Sequence, residues 1–176
     1  FIDGGRAYRI TNPATPMPWI NVISNGRYGF TISQNGGGFS FYDDAQHCVI
    51  TRWEMDLIRD CSGKFLYVMD TDNNDVWSLA PAPTGCTYDS YACTHAMGST
   101  TFETVRAGIR AKWTLSVAPD CGAEIWLVEL TNESKNTRNI RLGSYLEWGC
   151  GVAPDTKREC HRLFIETTHD AARAAI

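Results

Sequence analysis

The feature of this sequence that most constrains its fold is the segment 15–42, where strand-forming residues alternate with turn residues. Three β-branched or aromatic runs follow one another, at residues 19–23, 28–32 and 39–42. Asn25-Gly26 supplies the positive φ angles of a tight two-residue hairpin between the first two runs, and the glycines at 36–38 break the chain before the third. The segment therefore predicts antiparallel strands joined by short turns.

The chain enters this segment through a proline-rich stretch that contains Pro13, Pro16 and Pro18. Proline has no backbone N–H and cannot donate to a strand ladder. We therefore expect a lead-in coil here, or a strand at the edge of its sheet.

Further strand-like runs recur at about the 8 to 12 residue spacing that is typical of antiparallel sandwiches. They lie at residues 64–69, 77–79, 99–105, 109–117, 124–131, 140–148 and 163–168. In the run 140–148 apolar positions mostly alternate with polar ones, as in a strand with one buried face, and such a face needs a second sheet to cover it. The predicted fold class is all-β, a two-sheet antiparallel sandwich.

Size and charge limit the classes of function. A chain of 176 residues makes one domain or part of one, and 43% hydrophobic residues suit a folded globule. The net charge is -4 without a basic stripe, so neither nucleic acid nor an anionic membrane is an expected partner. There is no apolar run near the ~20 residues of a spanning helix and no signal-peptide pattern, which predicts a soluble cytoplasmic protein. The start at Phe1 and the absence of a closing tail signal predict a piece of a longer protein.

The motifs for metal binding are incomplete. Seven cysteines are an odd number without a C-x-x-C pair, which favours free thiols over disulfides or a zinc site. Cys160 and His161 are adjacent, and adjacent residues of a strand point to opposite faces, so they are poorly placed to share a metal. The loop 70–75 begins like a calcium loop, but Asp75 replaces the required glycine and Pro81 the closing glutamate. We predict no metal and no cofactor.

No catalytic group is singled out by its sequence context. There is no G-x-S-x-G nucleophile elbow to accompany the four histidines. Glycoside cleavage needs a carboxylic acid that protonates the leaving oxygen. Six carboxyl residues are possible and equivalent by context: Asp43, Asp44, Asp56, Glu129, Glu147 and Glu159. Four tryptophans could stack on sugar rings, but core positions are expected for each: Trp19, Trp53, Trp77 and Trp148.

The segment 155–162 differs from the rest of this acidic chain because it concentrates four basic side chains between two predicted strands. They are Lys157, Arg158, His161 and Arg162. Binding residues gather in loops held by rigid sheets, and the planar fork of arginine suits phosphate or carboxylate oxygens. The alternative is a solvated charged connection.

Several long motifs in order resemble the N-terminal domain of glycoside hydrolase family 94, the inverting disaccharide phosphorylases such as cellobiose and cellobionic acid phosphorylase. The motifs are TPMPWINVISNGRYGFTIS, GGGFSFYDDAQHCVITRW, DVWSLAPAP, YDSYACTHAMGSTTF, EIWLVELTNES and LGSYLEWG. The resemblance implies a large two-sheet supersandwich, similar to mutarotase-like sandwiches, followed by an (α/α)6 barrel that lies beyond these 176 residues.

The chemistry implied by the resemblance is phosphorolysis of a β-glucoside to α-glucose 1-phosphate with inversion. Inorganic phosphate is then a co-substrate, and because it is already anionic it needs no general base to attack the sugar. One carboxylic acid that protonates the leaving oxygen suffices. In this family the acid is an aspartate of the barrel, so we assign no catalytic residue and expect the piece alone to be inactive.

Family members are typically homodimers in which a loop of one N-terminal domain helps close the partner's active site. The resemblance places Lys157, Arg158, His161 and Arg162 in a comparable loop, as substrate-binding residues. Three alternatives stay open: the same domain of a cyclic β-1,2-glucan synthase, a non-catalytic carbohydrate-binding module, and a purely structural dimerisation sandwich.

Overall fold

The computed structural model describes residues 1–54, 56, 58–152 and 165–173. These residues form thirteen strands and one short 3-10 turn, Asp3–Gly5, and contain no α-helix. The strands are β1 (Ala7–Ile10), β2 (Ile20–Ser24), β3 (Tyr28–Ser33), β4 (Ser40–Tyr42), β5 (Val49–Thr51), β6 (Lys64–Asp70), β7 (Asp75–Ser78), β8 (Ser90–Ala96), β9 (Ser99–Arg106), β10 (Ile109–Val117), β11 (Glu124–Asn132), β12 (Ile140–Leu146) and β13 (Trp148–Gly151). In the described ranges, no helix has the length and apolar character needed to cross a membrane.

The strands form two layers. One layer is a five-stranded sheet in the order β1-β8-β9-β10-β11. The other contains a three-stranded sheet, β12-β6-β7, and a five-stranded sheet, β13-β5-β4-β3-β2. Segment 140–151 joins these two sheets, because its first half pairs with β6 and its second half with β5. All strand pairs are antiparallel, which confirms the predicted class.

The core lies between the layers. The first layer contributes Phe102 of β9 and Trp113 of β10, whose rings stack with centroids 5.4 Å apart. The second layer contributes Phe30 of β3 and Trp77 of β7 to the same cluster. All four side chains are fully buried, and aromatic side chains of this size dominate the free energy of a core.

The strand predictions hold best for long, regular segments. The predicted runs 64–69, 99–105, 109–117 and 124–131 agree with β6, β9, β10 and β11 to within one residue at each end. Three strands were not predicted: β1, β5 and β8. β5 has only three residues, and β8 is rich in small and polar residues, so neither carries a strong strand pattern.

The two C-terminal strand predictions need correction. Run 140–148 is not one strand, because β12 ends at Leu146 and β13 begins at Trp148. The interruption at Glu147 marks the change of pairing partner from β6 to β5. A strand at 163–168 is wrong for residues 165–168, which pair with no described strand, whereas 163 and 164 lie outside the described residues.

The predicted buried face of 140–148 is also wrong for most of β12. Leu142 pairs with the fully buried Val68 and shares its face, yet Leu142 is 45% exposed. Among the described strands, β12 and β11 are both edge strands, so their inward-facing side chains have a described neighbouring strand on one side only. Leu130 of β11, opposite the buried Ala111, is exposed for the same reason.

The hairpin between β2 and β3 forms at the predicted place with a different turn. Only Gly26 has a positive φ, of 93°, and the closing hydrogen bond runs from the Asn25 N–H to the Tyr28 carbonyl, 3.1 Å away. The central residues are therefore Gly26 and Arg27, one position later than predicted. Asn25 instead accepts hydrogen bonds at Oδ1 from the N–H groups of Arg27 and Tyr28.

The glycines at 36–38 lie where backbone segments approach each other closely. Gly38 has a φ of 142°, and a Cβ there would lie 2.1 Å from the carbonyl oxygen of Thr31. A Cβ on Gly37 would lie 2.1 Å from Oδ1 of Asp60. Both positions exclude a side chain, so glycine is required there by packing.

Candidate functional site

The predicted substrate-binding residues Lys157, Arg158, His161 and Arg162 lie outside the described residues. The structure describes the place from which their segment departs, which is the end of β13 at Gly151. Their role therefore stays a prediction, and the described surroundings of β13 define the candidate site.

A polar cleft of about 180 Å3 lies where segment 140–151 passes from one sheet to the other. Its lining includes Arg52, Glu54, Cys61, Phe65, Tyr145 and Glu147. Phe65 and Tyr145 are directly opposite each other on β6 and β12, so their side chains share one face. Their neighbours Lys64 and Leu146 point the other way, with Lys64 contacting the first layer, so the cleft is on the outer face of the second layer.

Arg52 organises this cleft. Its backbone N–H donates to the carbonyl oxygen of Glu147 at 2.8 Å, which links β5 to the interruption between β12 and β13. Its Nη1 donates to Oε2 of Glu147 at 2.6 Å, and its Nη2 pairs with Oε1 of Glu54. One arginine thus fixes two carboxylates on separate chain segments, in the forked geometry that suits guanidinium.

Tyr145 orients the second carboxylate. Its hydroxyl donates to Oε1 of Glu147 at 2.8 Å. This hydrogen bond and the adjacent negative charge raise the pKa of the Tyr145 hydroxyl, which therefore stays protonated at neutral pH. The residue as a whole is 49% exposed, so it is open to contact from outside.

A second polar cluster links the two layers inside the core. Glu124 of β11 accepts hydrogen bonds from Lys64 Nζ at 2.5 Å, Trp126 Nε1 at 2.6 Å, Ser40 Oγ at 2.9 Å and Tyr28 Oη at 3.0 Å. The side chains of Lys64 and Glu124 are only 4% and 8% exposed. Because every partner is satisfied and the cluster is buried, we interpret it as structural.

His95 forms a third polar cluster between β2 and the β8–β9 hairpin. Its Nε2 lies 3.0 Å from the carbonyl oxygen of Trp19, so Nε2 carries the proton and donates. Its Nδ1, 2.9 Å from Thr100 Oγ1, then accepts from that hydroxyl, while Asn21 Nδ2 donates to the same oxygen at 3.2 Å. Burial lowers the pKa of His95, which agrees with this neutral form.

The remaining sequence candidates take structural or surface positions. Asp70 to Asp75 form a turn between β6 and β7, and Asp70 is buried against Arg138, so the calcium-loop interpretation has no support. Among the described residues, no group of three or more metal-binding side chains occurs. Burial raises the pKa of Cys93 to about 12, which makes its thiol a poor nucleophile.

The expectation that all four tryptophans are core residues is correct only in part. Trp77 is 1% exposed, and Trp53 stacks on Phe39 at 4.6 Å. Trp19 and Trp148 are more than a third exposed. Trp19 precedes β2 and Trp148 begins β13, and these are the two edge strands of their sheet among the described strands.

Sequence reasoning did not find the cleft. Glu147 stood among the six candidate carboxyls, but Arg52, Glu54 and Tyr145 were not singled out. Arg52 and Glu147 are 95 positions apart and meet only because β5 pairs with β13. No local spacing signals such a contact.

Antiparallel strands in two packed layers define a β-sandwich, and the polar cleft lies where β12 passes into β13. A family model described as glycosyl hydrolase 94, supersandwich domain, matches residues 6–176. The chain belongs to this family.

Curated relatives agree with this assignment. The chain is 33% identical over 150 residues to an N,N'-diacetylchitobiose phosphorylase of Vibrio proteolyticus, covering 84% of this chain and 19% of the relative. It is 32% identical over 151 residues to a solabiose phosphorylase of Paenibacillus borealis, covering 84% and 20%. It is also 27% identical over 154 residues to the cyclic beta-(1,2)-glucan synthase NdvB of Rhizobium meliloti (strain 1021), covering 86% and 5%. The chain thus spans about a fifth of the length of these phosphorylases.

Proposed function

We propose that this chain is the supersandwich domain of an inverting disaccharide phosphorylase, which transfers a glycosyl group to inorganic phosphate. The observation that carries the proposal is the family match over residues 6–176, together with relatives that are named as phosphorylases. Within the enzyme, the domain serves as a scaffold and supplies a loop to the sugar site. Catalysis belongs to a separate domain.

Three of the described carboxyl groups support a non-catalytic role for this domain. A phosphorylase acid must hold a proton for the leaving oxygen. Glu124 is committed to Lys64, and Asp70 to Arg138, so both buried carboxylates balance a cation. Glu147 is likewise fixed as the ion-pair partner of Arg52. Each of these carboxylates is thus engaged by a cation inside this domain rather than presented to a leaving oxygen.

The loop that follows β13 is the proposed contact with substrate. β13, from which this loop departs, is paired with β5, and Arg52 holds Glu147 immediately before β13 through both backbone and side chain. Lys157 and Arg158 would offer charge-assisted hydrogen bonds to phosphate or to substrate oxygens. In the homodimer that we propose, this loop reaches the active site of the partner.

Replacing Lys157 and Arg158 together with Ala in the full-length enzyme tests the loop. We expect the binding of sugar or phosphate to weaken by about 1 to 3 kcal/mol in total, seen as a raised KM for that substrate. Lys135→Ala, in the exposed turn after β11, removes a charge elsewhere and should leave both constants unchanged. Unchanged Michaelis constants in the double variant would refute the loop assignment.

The reaction itself is tested by incubating the full-length protein with N,N'-diacetylchitobiose or cellobiose and inorganic phosphate. Phosphorus NMR should show a new α-configured sugar 1-phosphate only when phosphate is present. Hydrolysis without phosphate incorporation, or no turnover of any disaccharide, would refute the phosphorylase proposal. The 176-residue chain alone should give no product.

A glucan synthase is the second candidate, because a cyclic beta-(1,2)-glucan synthase is among the relatives. This alternative predicts a cyclic glucan product and no consumption of phosphate by the full-length protein. A carbohydrate-binding module instead predicts micromolar binding of cello-oligosaccharides by the isolated chain. A purely structural dimerisation sandwich predicts that the isolated chain self-associates in sedimentation experiments and binds no glycan.

A further inference from the structure

A groove of about 590 Å3 lies where β1 ends and β8 begins, and it shares no lining residue with the cleft beside Arg52. The coil after β1 contributes Thr11 and Pro13 to its lining, and the segment 81–91 contributes the rest. We propose that this groove binds a neutral disaccharide, which packs on two tyrosine rings and donates hydroxyl hydrogens to an aspartate. The choice of a sugar among neutral polar ligands rests on the proposed function.

The groove is preformed, because hydrogen bonds hold both segments that line it. Gln34 is only 1% exposed, and its Nε2 donates to the carbonyl oxygen of Pro13 at 3.1 Å. The hydroxyl of Tyr91 donates to the backbone carbonyl oxygen of the same Gln34. The hydroxyl of Tyr88 lies 2.8 Å from the carbonyl oxygen of Ala80, which anchors the second segment. A lining that is fixed before the ligand arrives loses less conformational entropy on binding.

Tyr88 and Tyr91 supply the aromatic surface of the groove. Their ring centroids are 6.1 Å apart, with 32° between the ring planes. Each residue is half-buried, since it packs against the core and also lines the groove. The C–H groups of a sugar pack well against such rings, and two neighbouring rings suit two linked sugars. The groove volume lies within the roughly 300 to 1,000 Å3 that is usual for small-molecule sites.

Asp89 supplies the hydrogen-bond acceptor. Its Oδ2 accepts from the N–H of Ala107 at 3.0 Å, and no described residue donates to its Oδ1. Among the described lining residues, only Asp89 is charged. Arg106 donates to the carbonyl oxygen of Thr87 at 2.9 Å, but its charge is paired with Asp75. A carboxylate in this setting repels anions and accepts hydrogen bonds from neutral hydroxyl groups, which favours a neutral sugar over a phosphorylated one.

Cys86 gives a local readout, because it lines the groove and is partly exposed. A bound disaccharide should shield its thiol from alkylation by iodoacetamide, which peptide mass spectrometry measures in the full-length protein without phosphate. With a Kd on the order of 1 to 10 mM, about 50 mM cellobiose or N,N'-diacetylchitobiose should slow alkylation about 5-fold or more. Cys48 and Cys121 are exposed, line no part of the groove and should react at unchanged rates.

Variants assign the protection to this groove. Asp89→Asn should raise the half-protecting sugar concentration about 5- to 10-fold, because a hydrogen bond to a charged acceptor is stronger than one to a neutral acceptor. Tyr88→Leu removes one ring and should raise it about 3-fold or more. Asp120→Asn is the matched control, because Asp120 is also an exposed carboxylate and lies in the β10–β11 turn, outside the groove lining. A thermal melt shows whether each variant is folded, and Asp89→Asn, at an exposed position, decides the test even if Tyr88→Leu unfolds the protein.

Several results would overturn the proposal. They are no protection of Cys86 by either disaccharide, an unchanged half-protecting concentration in Asp89→Asn, and equal protection by glucose 1-phosphate or by the acyclic polyol glucitol. Protection by a proline-rich peptide and by no sugar would assign the groove to a peptide and equally refute a sugar site.

The assay also separates this site from the proposed enzyme activity, because it needs neither phosphate nor turnover. A protein that makes sugar 1-phosphate but shows no protection of Cys86 would refute the groove alone. Protection of Cys86 without phosphorolysis would refute the proposed enzyme and keep the sugar site.

Discussion

The buried ion pair between Lys64 and Glu124 offers the sharpest test of how the two layers are held together. The perturbation is Glu124→Gln, which keeps the shape of the side chain and removes its charge. Lys64 Nζ would retain Ser40 Oγ at 2.7 Å and the ring of Phe30 at 4.3 Å from its centroid. It would lose its only described anionic partner.

The expected cost follows from burial. Both side chains are more than nine-tenths buried, so water cannot replace the lost partner. Removing one member of a buried pair usually costs about 3 to 5 kcal/mol, a large part of the roughly 5 to 15 kcal/mol that stabilises a domain. The introduced amide would also face Trp126, Ser40 and Tyr28, which all donate to the present carboxylate of Glu124, so at least one donor loses its acceptor.

The assay is urea unfolding of the chain at pH 7, followed by circular dichroism and by tryptophan fluorescence. Glu129→Gln is the matched control on the same strand, because Glu129 pairs with Lys112 at 3.3 Å and both side chains are about half exposed. That control should cost less than about 1 kcal/mol. In the double variant Lys64→Met with Glu124→Gln, the two costs should not add, and the coupling should be about 1 to 3 kcal/mol.

The pH dependence of the variant checks the mechanism. Burial lowers the pKa of Lys64, and Glu124 opposes that lowering. Without Glu124 the folded state holds the Lys64 proton more weakly than the unfolded state does. The free energy of unfolding of Glu124→Gln should therefore rise, relative to the native chain, as pH increases toward the unfolded pKa of about 10.4. A cost equal to that of Glu129→Gln, or a cost that does not depend on pH, would refute the reasoning.

Two further predictions concern local features. Gly38→Ala should cost about 2 to 4 kcal/mol because its Cβ meets Thr31 O, whereas Gly26→Ala, with a positive φ but open space around it, should cost about 1 kcal/mol. Similar urea midpoints for these two variants would contradict the close-approach argument. Burial lowers the pKa of His95 in the folded state, so the unfolded chain takes up a proton on this residue first as the pH falls. The stabilisation by neutral His95 is therefore complete above the unfolded pKa of about 6.5 and is lost as the pH falls below it. The stability difference between the native chain and His95→Gln should shrink between about pH 7 and pH 5, and a constant difference would show that His95 does not titrate differently on folding.

Much of the fold could be predicted because its signals are local. In β10 the alternation of apolar and polar residues, in β11 a run of β-branched, aromatic and leucine residues, and in both the flanking turns set each strand within a few positions. The motifs that run from the first hairpin to LGSYLEWG also sufficed for the family, which the match over residues 6–176 confirms. Short or polar strands such as β8 gave no comparable signal, and only pairing with β1 and β9 reveals them.

The candidate site was less predictable because it depends on contacts between distant segments. The cleft exists only where β5, β6 and the β12–β13 segment meet, and its carboxylates are ordered by Arg52. The predicted binding residues Lys157, Arg158, His161 and Arg162 lie outside the described residues, so their role awaits the loop experiment.

By itself, the sequence determined an all-β chain of this family, since strand period, turn residues and family motifs are written along neighbouring positions. Only the tertiary structure decided which side chains are buried, exposed or paired. Leu142 is an apolar residue in an alternating strand pattern that predicts burial, yet it lies exposed on an edge strand. Lys64 is a charged residue of a type usually found at the surface, yet it lies in the core beside Glu124. The physical reason is that burial and pairing depend on which strands become neighbours, and β6 and β11 become neighbours only when the two layers pack.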